Sequence, residues 1–228
     1  MKAQPILSLA GFSFLLTLSA CCCLGQRSGT PSVELFNGHD LAGWNHVSAD
    51  AAVPLTSIWS VQDGVIVCKG EPIGFLYTDK TFGNFRLLVE YRWPSGQKPG
   101  NSGIFSRITT PMGALPRCVE VQLMHGNAGD VLGLQGRTVQ ADQPRFFAVK
   151  AHKLAGDIAG VKKSHDQEKS PGEWNRLELL AQDGNYTVWM NGEKINEVAG
   201  VEVAHGPIGL QSEGGEIHFR RVTITPLR

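Results

Sequence analysis

The chain has 228 residues, five of them cysteine, with 21 Lys plus Arg against 21 Asp plus Glu and a formal net charge of zero. That balance gives no electrostatic footprint for nucleic acid. Beyond the N-terminal region there is no CxxC pair and no Cys/His quartet at zinc-finger spacing, which argues against those metal and redox classes.

At the N-terminus, Met1-Lys2 precedes an apolar stretch from Pro5 to Ala20 and three cysteines, Cys21 to Cys23. The stretch is short for a membrane span and carries one early lysine, so residues 1–25 read as an export signal. Leu18-Ser19-Ala20-Cys21 is similar to a bacterial lipobox, which makes Cys21 a lipid-anchor candidate; cleavage after Gly25 would instead remove all three cysteines. Either route places the mature protein outside the cytoplasm, as a periplasmic or membrane-anchored protein. Residues 32–228 are long enough for one sizeable core and read as one domain.

Short alternating runs separated by Gly, Asn, Asp and Pro follow, with no long helical pattern, and predict an all-β chain. The expected strands are Val33–Phe36, Ile58–Val61, Val65–Lys69, Phe85–Trp93, Gly103–Ile108, Cys118–Met124, Trp174–Ala181, Tyr186–Met190, Lys194–Val198, Pro207–Gln211 and Glu216–Ile224. Phe85, Leu87, Val89 and Tyr91 against Arg86, Glu90 and Arg92 is the cleanest period-two pattern. Asp63-Gly64, Asp183-Gly184 and Asn191-Gly192 are hairpin signals, and a phase change between Phe219 and Val222 predicts a bulge. The Gly-, Asp- and Lys-rich segment from Asn127 to Ser170 reads as a long loop over one end or face of the sandwich. Cys68 and Cys118 sit in β-like runs, either paired or free and buried. Of the five tryptophans, Trp44 lies in the most polar segment and is the best candidate for an exposed sugar platform.

Three blocks carry chemistry-bearing residues. In Cys118-Val-Glu120-Val-Gln122-Leu-Met124, the strand alternation sends Val119, Val121 and Leu123 one way and Glu120 and Gln122 the other. Burying a carboxylate is costly, so Glu120 should meet a pocket, a cation or hydrogen-bond donors; the alternative is a solvated sheet face. His125 and Asp130 follow in the next loop. The second block, Gly100-Asn101-Ser102-Gly103-Ile-Phe-Ser-Arg107, offers an amide, a hydroxyl and a guanidinium directed outward, toward sugar oxygens or toward an acid such as Glu120. The third, His205 to Glu216, places Gln211 on a strand face with Gly209, whose missing side chain leaves room for a ligand or a neighbouring backbone; Glu213 is either functional or in a solvated turn.

Leu35-Phe-Asn-Gly-His-Asp-Leu-Ala-Gly-Trp44, Trp59-Ser-Val-Gln-Asp-Gly-Val65, Gly100-Asn-Ser-Gly-Ile-Phe105, Glu120-Val-Gln122, Gly172-Glu-Trp-Asn175, Val188-Trp-Met-Asn-Gly192 and Gly206-Pro-Ile-Gly-Leu-Gln211 together resemble the 3-keto-disaccharide hydrolase domain family. The resemblance implies a concanavalin-like, laminin-G-like jelly-roll sandwich and cleavage of glycosides oxidised at C3. The route is elimination across C1 and C2, then hydration of the 2-hydroxy-3-keto-glucal. It further implies Glu120 or His125 as base, Asn101, Ser102, Arg107, Gln122 and Gln211 as groups binding the 3-keto sugar, and positive charge at the enolate from Arg107, a protonated His125 or a divalent cation. The family often follows its Glu-x-Gln strand with an apolar residue and an acid. Here Leu123-Met124-His125 stands in that place, with Asp130 the nearest acid beyond. Two other classes compete: a non-catalytic surface lipoprotein that binds glycans or another protein, and a two-carboxylate glycosidase using Glu213.

Overall fold

The computed structural model describes residues 1–2, 30–109 and 112–228; the apolar leader and Cys21 lie outside the described residues. The strands in chain order are β1 (Val33–Glu34), β2 (Trp44–Ser48), β3 (Trp59–Gln62), β4 (Val65–Cys68), β5 (Gly74–Thr78), β6 (Phe85–Arg92), β7 (Gly103–Thr109) and β8 (Arg117–Gln122). Then come β9 (Val131–Gly133), β10 (Phe146–His152), β11 (Gly156–Val161), β12 (Asn175–Gln182), β13 (Asn185–Met190), β14 (Glu193–Val198), β15 (Gly209–Ser212) and β16 (Ile217–Pro226). A single helical turn, α1 (Leu55–Ile58), precedes β3.

These strands form two antiparallel sheets. The first has the order β14-β13-β12-β6-β16-β4-β3, with β1 also on β16; the second has the order β10-β11-β9-β8-β7-β15-β5-β2. Alternation decides the packing. Leu87, Val89 and Tyr91 of β6 and Leu177 and Leu179 of β12 meet Ile104, Val119, Val121, Leu123 and Leu210 of the second sheet in one buried core. Each fully buried aliphatic side chain there contributes roughly 1.5–3 kcal/mol. The second sheet is also covered on its outer face, where Phe75, Phe105, Ile108, Leu115, Cys118, Leu132 and Leu134 form a separate apolar cluster. The centre of β8 is therefore buried on both sides, and that places Glu120 away from bulk water.

The three hairpin signals close β3–β4, β12–β13 and β13–β14, with both central residues at positive φ: Asp63 and Gly64, Asp183 and Gly184, Asn191 and Gly192. Only a primed turn needs that conformation twice, and it matches the strand twist. The bulge in β16 falls between Phe219 and Arg221, as the phase change predicts.

Two expectations are corrected and two open alternatives are decided. The segment from Asn127 to Ser170 is a loop only in part, because it contributes β9, β10 and β11 and widens the second sheet. β10 is mostly exposed, so no apolar alternation marks it; its partner β11 holds it. Trp44 is core rather than platform: it is 7% exposed and its indole N–H donates to the Leu35 carbonyl at 2.8 Å. The polar segment before it is folded on itself, with Asn37 Oδ1 accepting from the backbone N–H groups of His39 and Asp40. Cys68 and Cys118 are free and buried in different sheets. The space beside Gly209 is filled by Phe105, Ile108 and the Leu76 carbonyl, so it holds no ligand.

A carboxylate fastens the chain after β11. Glu168, with 1% of its side chain exposed, accepts at Oε1 from Tyr91 Oη at 3.0 Å and Trp93 Nε1 at 3.2 Å. Its Oε2 accepts from the Gly126 backbone at 3.0 Å and pairs with His125 Nδ1 at 2.9 Å. Replacing Glu168 by Ala orphans two buried side-chain donors, and each orphan costs about 1–3 kcal/mol. Urea unfolding of Glu168→Ala should show a loss of about 3 kcal/mol with an unchanged m-value; a loss under about 0.5 kcal/mol, the level of an ordinary surface change, would show that the anchor is not structural.

Candidate functional site

Glu120 stands on the outer face of the second sheet, level with Phe105 on β7 and Leu132 on β9. Gln122 follows on the same face, level with Gly103. Continuing the β7–β15 register, in which Gly209 faces Phe105 and Leu210 faces Ile104, sets Gln211 beside Gly103 from the other side. A Cβ on Gly103 would run into Glu120 Oε1, so this glycine is the floor on which the carboxyl lies. Glycine is needed here for space rather than for turn geometry.

The loop after β15 brings a second carboxyl. Gly214 donates its N–H to the Gly70 carbonyl at 2.6 Å and accepts from Asn101 N at 2.8 Å. A Cβ on Gly100 would run into the Gly214 backbone, so the two loops touch main chain to main chain. That contact sets Glu213 against two amides: Asn101 Nδ2 and Gln211 Nε2 each donate to its Oε2 at 2.7 Å.

Between these groups lies a cavity of about 250 Å³, lined by Asn101, Glu120, Gln122, Gln211 and Glu213 on the polar side and by Leu115, Met124, Leu132, Leu134, Ala155 and Ile158 on the apolar side, with His152 of the β10–β11 hairpin at its edge. It lies below the ~300–1,000 Å³ of pockets for drug-sized ligands, a size suited to a single-ring solute. Glu120 is 3% exposed, and its Oε1 is buried with no hydrogen-bond partner, as are Asn101 Oδ1 and Gln211 Oε1. Burial, and secondarily the charge of Glu213, pushes the Glu120 carboxyl up to about 8. Burial also raises Glu213, against the opposing influence of His152 and the Gln211 amide. With two amide donors on one oxygen, Glu213 is the member of the pair equipped to stay ionised; Glu120 holds its proton at neutral pH.

The site thus gathers Glu120, Asn101, Gln122 and Gln211, and adds Glu213 and His152. His152 carries no local signal, because the hairpin that bears it was not legible as strand. Four candidate residues are elsewhere. Arg107 sits in a bulge of β7 at φ +53°, which turns it inward rather than outward. It is fully buried, donating from Nε to Tyr186 Oη at 2.9 Å and from a terminal nitrogen to the Ala204 carbonyl at 2.9 Å. His125 is absent from the cavity lining and is engaged by Glu168. Ser102 is buried below the cavity, its hydroxyl donating to the Gln211 carbonyl at 2.8 Å. Asp130 turns away as well, accepting from the Lys163 backbone at 2.8 Å. Among the described residues no three His, Cys, Asp or Glu side chains converge to hold a metal ion; the oxygens that a cation would find in this cavity are the unpartnered ones of Glu120, Asn101 and Gln211.

The elevated Glu120 carboxyl has a cost that can be read as stability. Its proton is held more tightly folded than unfolded, so stability is full near pH 4.5 and falls as pH rises toward 8, at ~1.4 kcal/mol per unit. Between pH 5 and pH 9 the native protein should lose roughly 4 kcal/mol more than Glu120→Gln, measured by urea unfolding of both at each pH. Equal pH dependence in the two proteins would show that Glu120 is not desolvated.

The sequence matches the model of the 3-keto-alpha-glucoside-1,2-lyase-like domain over residues 31–225. No curated protein matches it. Among solved structures it is similar to a proposed glycosyl hydrolase from Parabacteroides distasonis, at 24% identity and TM-score 0.61 over 86% of this chain and 94% of that one. It is also similar to the carbohydrate-binding module CBM66 from Bacillus subtilis, at 11% identity and TM-score 0.57 over 80% and 95%. A Bacillus licheniformis β-glucanase is similar at 12% identity and TM-score 0.50, over 89% and 100%. These likenesses identify the two-sheet architecture as concanavalin-like, and the match over most of its length means that the chain belongs to the 3-keto-alpha-glucoside-1,2-lyase-like domain family.

Proposed function

We propose that the protein is an exported enzyme that cleaves 3-keto-glycosides by elimination across C1 and C2, with Glu120 as the base, followed by hydration of the enone. The observation that carries this is a carboxyl without donors, raised to about 8, at the bottom of a cavity sized for one sugar ring. A ketone at C3 acidifies the C2 hydrogen, so a carboxylate suffices as base. A base whose pKa lies near the working pH combines adequate ionisation with proton affinity. Ionised Glu120 takes the C2 hydrogen as a proton, and the electron pair passes into the C2–C3–O enolate. As the ketone re-forms, the C1–C2 double bond closes and the C1–O bond breaks. The departing aglycone oxygen takes a proton from the carboxyl of Glu120, restoring the carboxylate. The unpartnered Asn101 Oδ1 and Gln211 Oε1 accept from sugar hydroxyls. Export with a lipid anchor at Cys21 belongs to the same proposal.

The two carboxyls sharing one cavity also support a second reading, ordinary glycoside hydrolysis with Glu120 as acid and Glu213 as its ionised partner. The likeness to CBM66 supports a third, glycan binding without turnover.

One assay separates them. The mature domain is given 3-keto-trehalose, a 3-keto-glucoside and the parent sugars, and aglycone release is followed. Release from the keto forms alone is expected, with kcat/KM rising with pH to a plateau above about 8 and falling ~10²–10⁴-fold in Glu120→Gln. Cleavage of the parent sugars would establish the glycosidase reading instead, and binding with no cleavage of either would establish the binding module. For the anchor, Cys21→Ala should move the expressed protein from the membrane fraction to the soluble one; an unchanged distribution would count against lipidation.

A further inference from the structure

We propose that the side-chain amide of Gln122 is the donor that holds the negative charge of the C3 enolate, an oxyanion-stabilising role that rests on the keto-glycoside reading above. An amide's two ends are ordinarily assigned only by their partners. Here the partners decide. Gln122 Oε1 accepts from two backbone N–H groups, Leu123 at 3.0 Å and Met124 at 2.9 Å. Reversing the amide would set its N–H bonds against the Met124 N–H and against the Leu123 N–H, which is shared with the Ser102 carbonyl at 2.8 Å, so the NH₂ end is held away from the backbone in a residue that lines the cavity. No acceptor for it is present among the described residues.

The remaining polar atoms sharpen the assignment. Asn101 Oδ1, Gln211 Oε1 and Glu120 Oε1 are unpartnered acceptors; they suit sugar hydroxyls and repel a ketone oxygen. Glu213 already accepts from two amides. Asn101 and Gln211 each keep a second amide N–H, but their nitrogens lie against the Glu213 carboxylate, which disfavours a second negative charge beside it; of the other side chains lining the cavity, Gln122 and His152 have an N–H to give. His152 Nδ1 accepts from the Ala155 backbone at 3.1 Å, which leaves its proton on Nε2, but it stands on the exposed β10–β11 hairpin at the cavity's edge. Gln122 stands two residues from Glu120 on the same strand face, a separation of about 6.6 Å along the strand. That spacing lets a base reach the C2 hydrogen while a donor meets the oxygen on C3, the neighbouring carbon. As the C–H pair moves onto O3, the hydrogen bond from Gln122 Nε2 strengthens, and its heavy atoms need no rearrangement because the backbone already locks them.

The test isolates proton abstraction from bond cleavage. A 3-keto-1,5-anhydrohexitol has no aglycone at C1, so in D₂O exchange of its C2 hydrogen, which NMR resolves from that at C4, reports proton abstraction without glycosidic cleavage; 3-keto-trehalose gives kcat and KM in parallel. Gln122→Glu keeps the acceptor for the two backbone N–H groups and loses the donor, and Gln122→Met removes the donor without adding charge. Both should lower exchange and kcat together by ~10²–10³-fold, the range seen for removal of one oxyanion donor, with KM changed by less than about 3-fold. A raised KM with exchange of the bound sugar unchanged would overturn the proposal and make Gln122 a binding residue. Loss of exchange in His152→Ala with both Gln122 variants near native would also overturn it, naming the other donor. A native protein that neither exchanges nor cleaves any keto sugar would bring down the keto-glycoside reading itself, a result visible before any Gln122 variant is compared.

Discussion

The burial of Glu120 without a hydrogen-bond donor is the constraint on which the site depends. Taking a carboxylate out of water costs several kcal/mol unless it is paired, and among the described residues Glu120 has no pair. The group therefore keeps its proton, and the protein around it has to be stable enough to bear the cost when the proton leaves. That stability comes from the double burial of β8, with the inter-sheet core beneath Val119, Val121 and Leu123 and the second apolar cluster around Phe105, Leu132 and Leu134 above. The same leucines that line the cavity keep the dielectric low. Desolvation thus sets the proton affinity and the stability penalty together, and neither can be tuned without the other.

Polar groups near the site fall into two sets with different duties. Asn101, Gln211 and Glu213 are tied to one another by two hydrogen bonds on one carboxylate oxygen, which leaves the two amide oxygens without partners. The buried guanidiniums belong to another place. Arg107 joins Ser106 and Tyr186 inside the sandwich, and Arg137, 1% exposed, donates to the Arg107 carbonyl at 2.7 Å and to Glu202 at 3.0 Å. These arginines hold the bulged end of β7 against its neighbours. A left-handed arginine there costs on the order of 1 kcal/mol in backbone energy, which its buried hydrogen bonds offset.

What was legible in the sequence follows from which signals are local. Alternation is local, so the side of β8 that carries Glu120 and Gln122 could be read, as could the primed hairpins and the bulge in β16. The direction of Arg107 could not: one left-handed residue in a bulge inverts the alternation, and no residue type announces it. The partner of His125 could not be named, because Glu168 is distant in sequence and arrives only with the tertiary fold. Trp44 looked exposed because its neighbours are polar, yet those polar groups satisfy one another through Asn37 and Asp40. β10 was missed for the opposite reason, since an exposed strand paired along one side needs no apolar pattern. Glu213 was seen with two meanings, and only the glycine contact between residues 100 and 214 selects between them.

The polarity of the cavity bears on which chemistry it serves. An oxocarbenium-like transition state is positive and is helped by acceptors and an ionised carboxylate; Glu213 and the two amide oxygens would meet that need. An enolate is negative and gains nothing from them. It needs a donor close to the base, the role proposed for the amide of Gln122, whose oxygen accepts from two backbone N–H groups. On the proposed reading, a raised carboxyl and an amide N–H on one strand face suit deprotonation beside a carbonyl, and the sign of the charge that develops, rather than the count of carboxyls, is what distinguishes the elimination from the glycosidase.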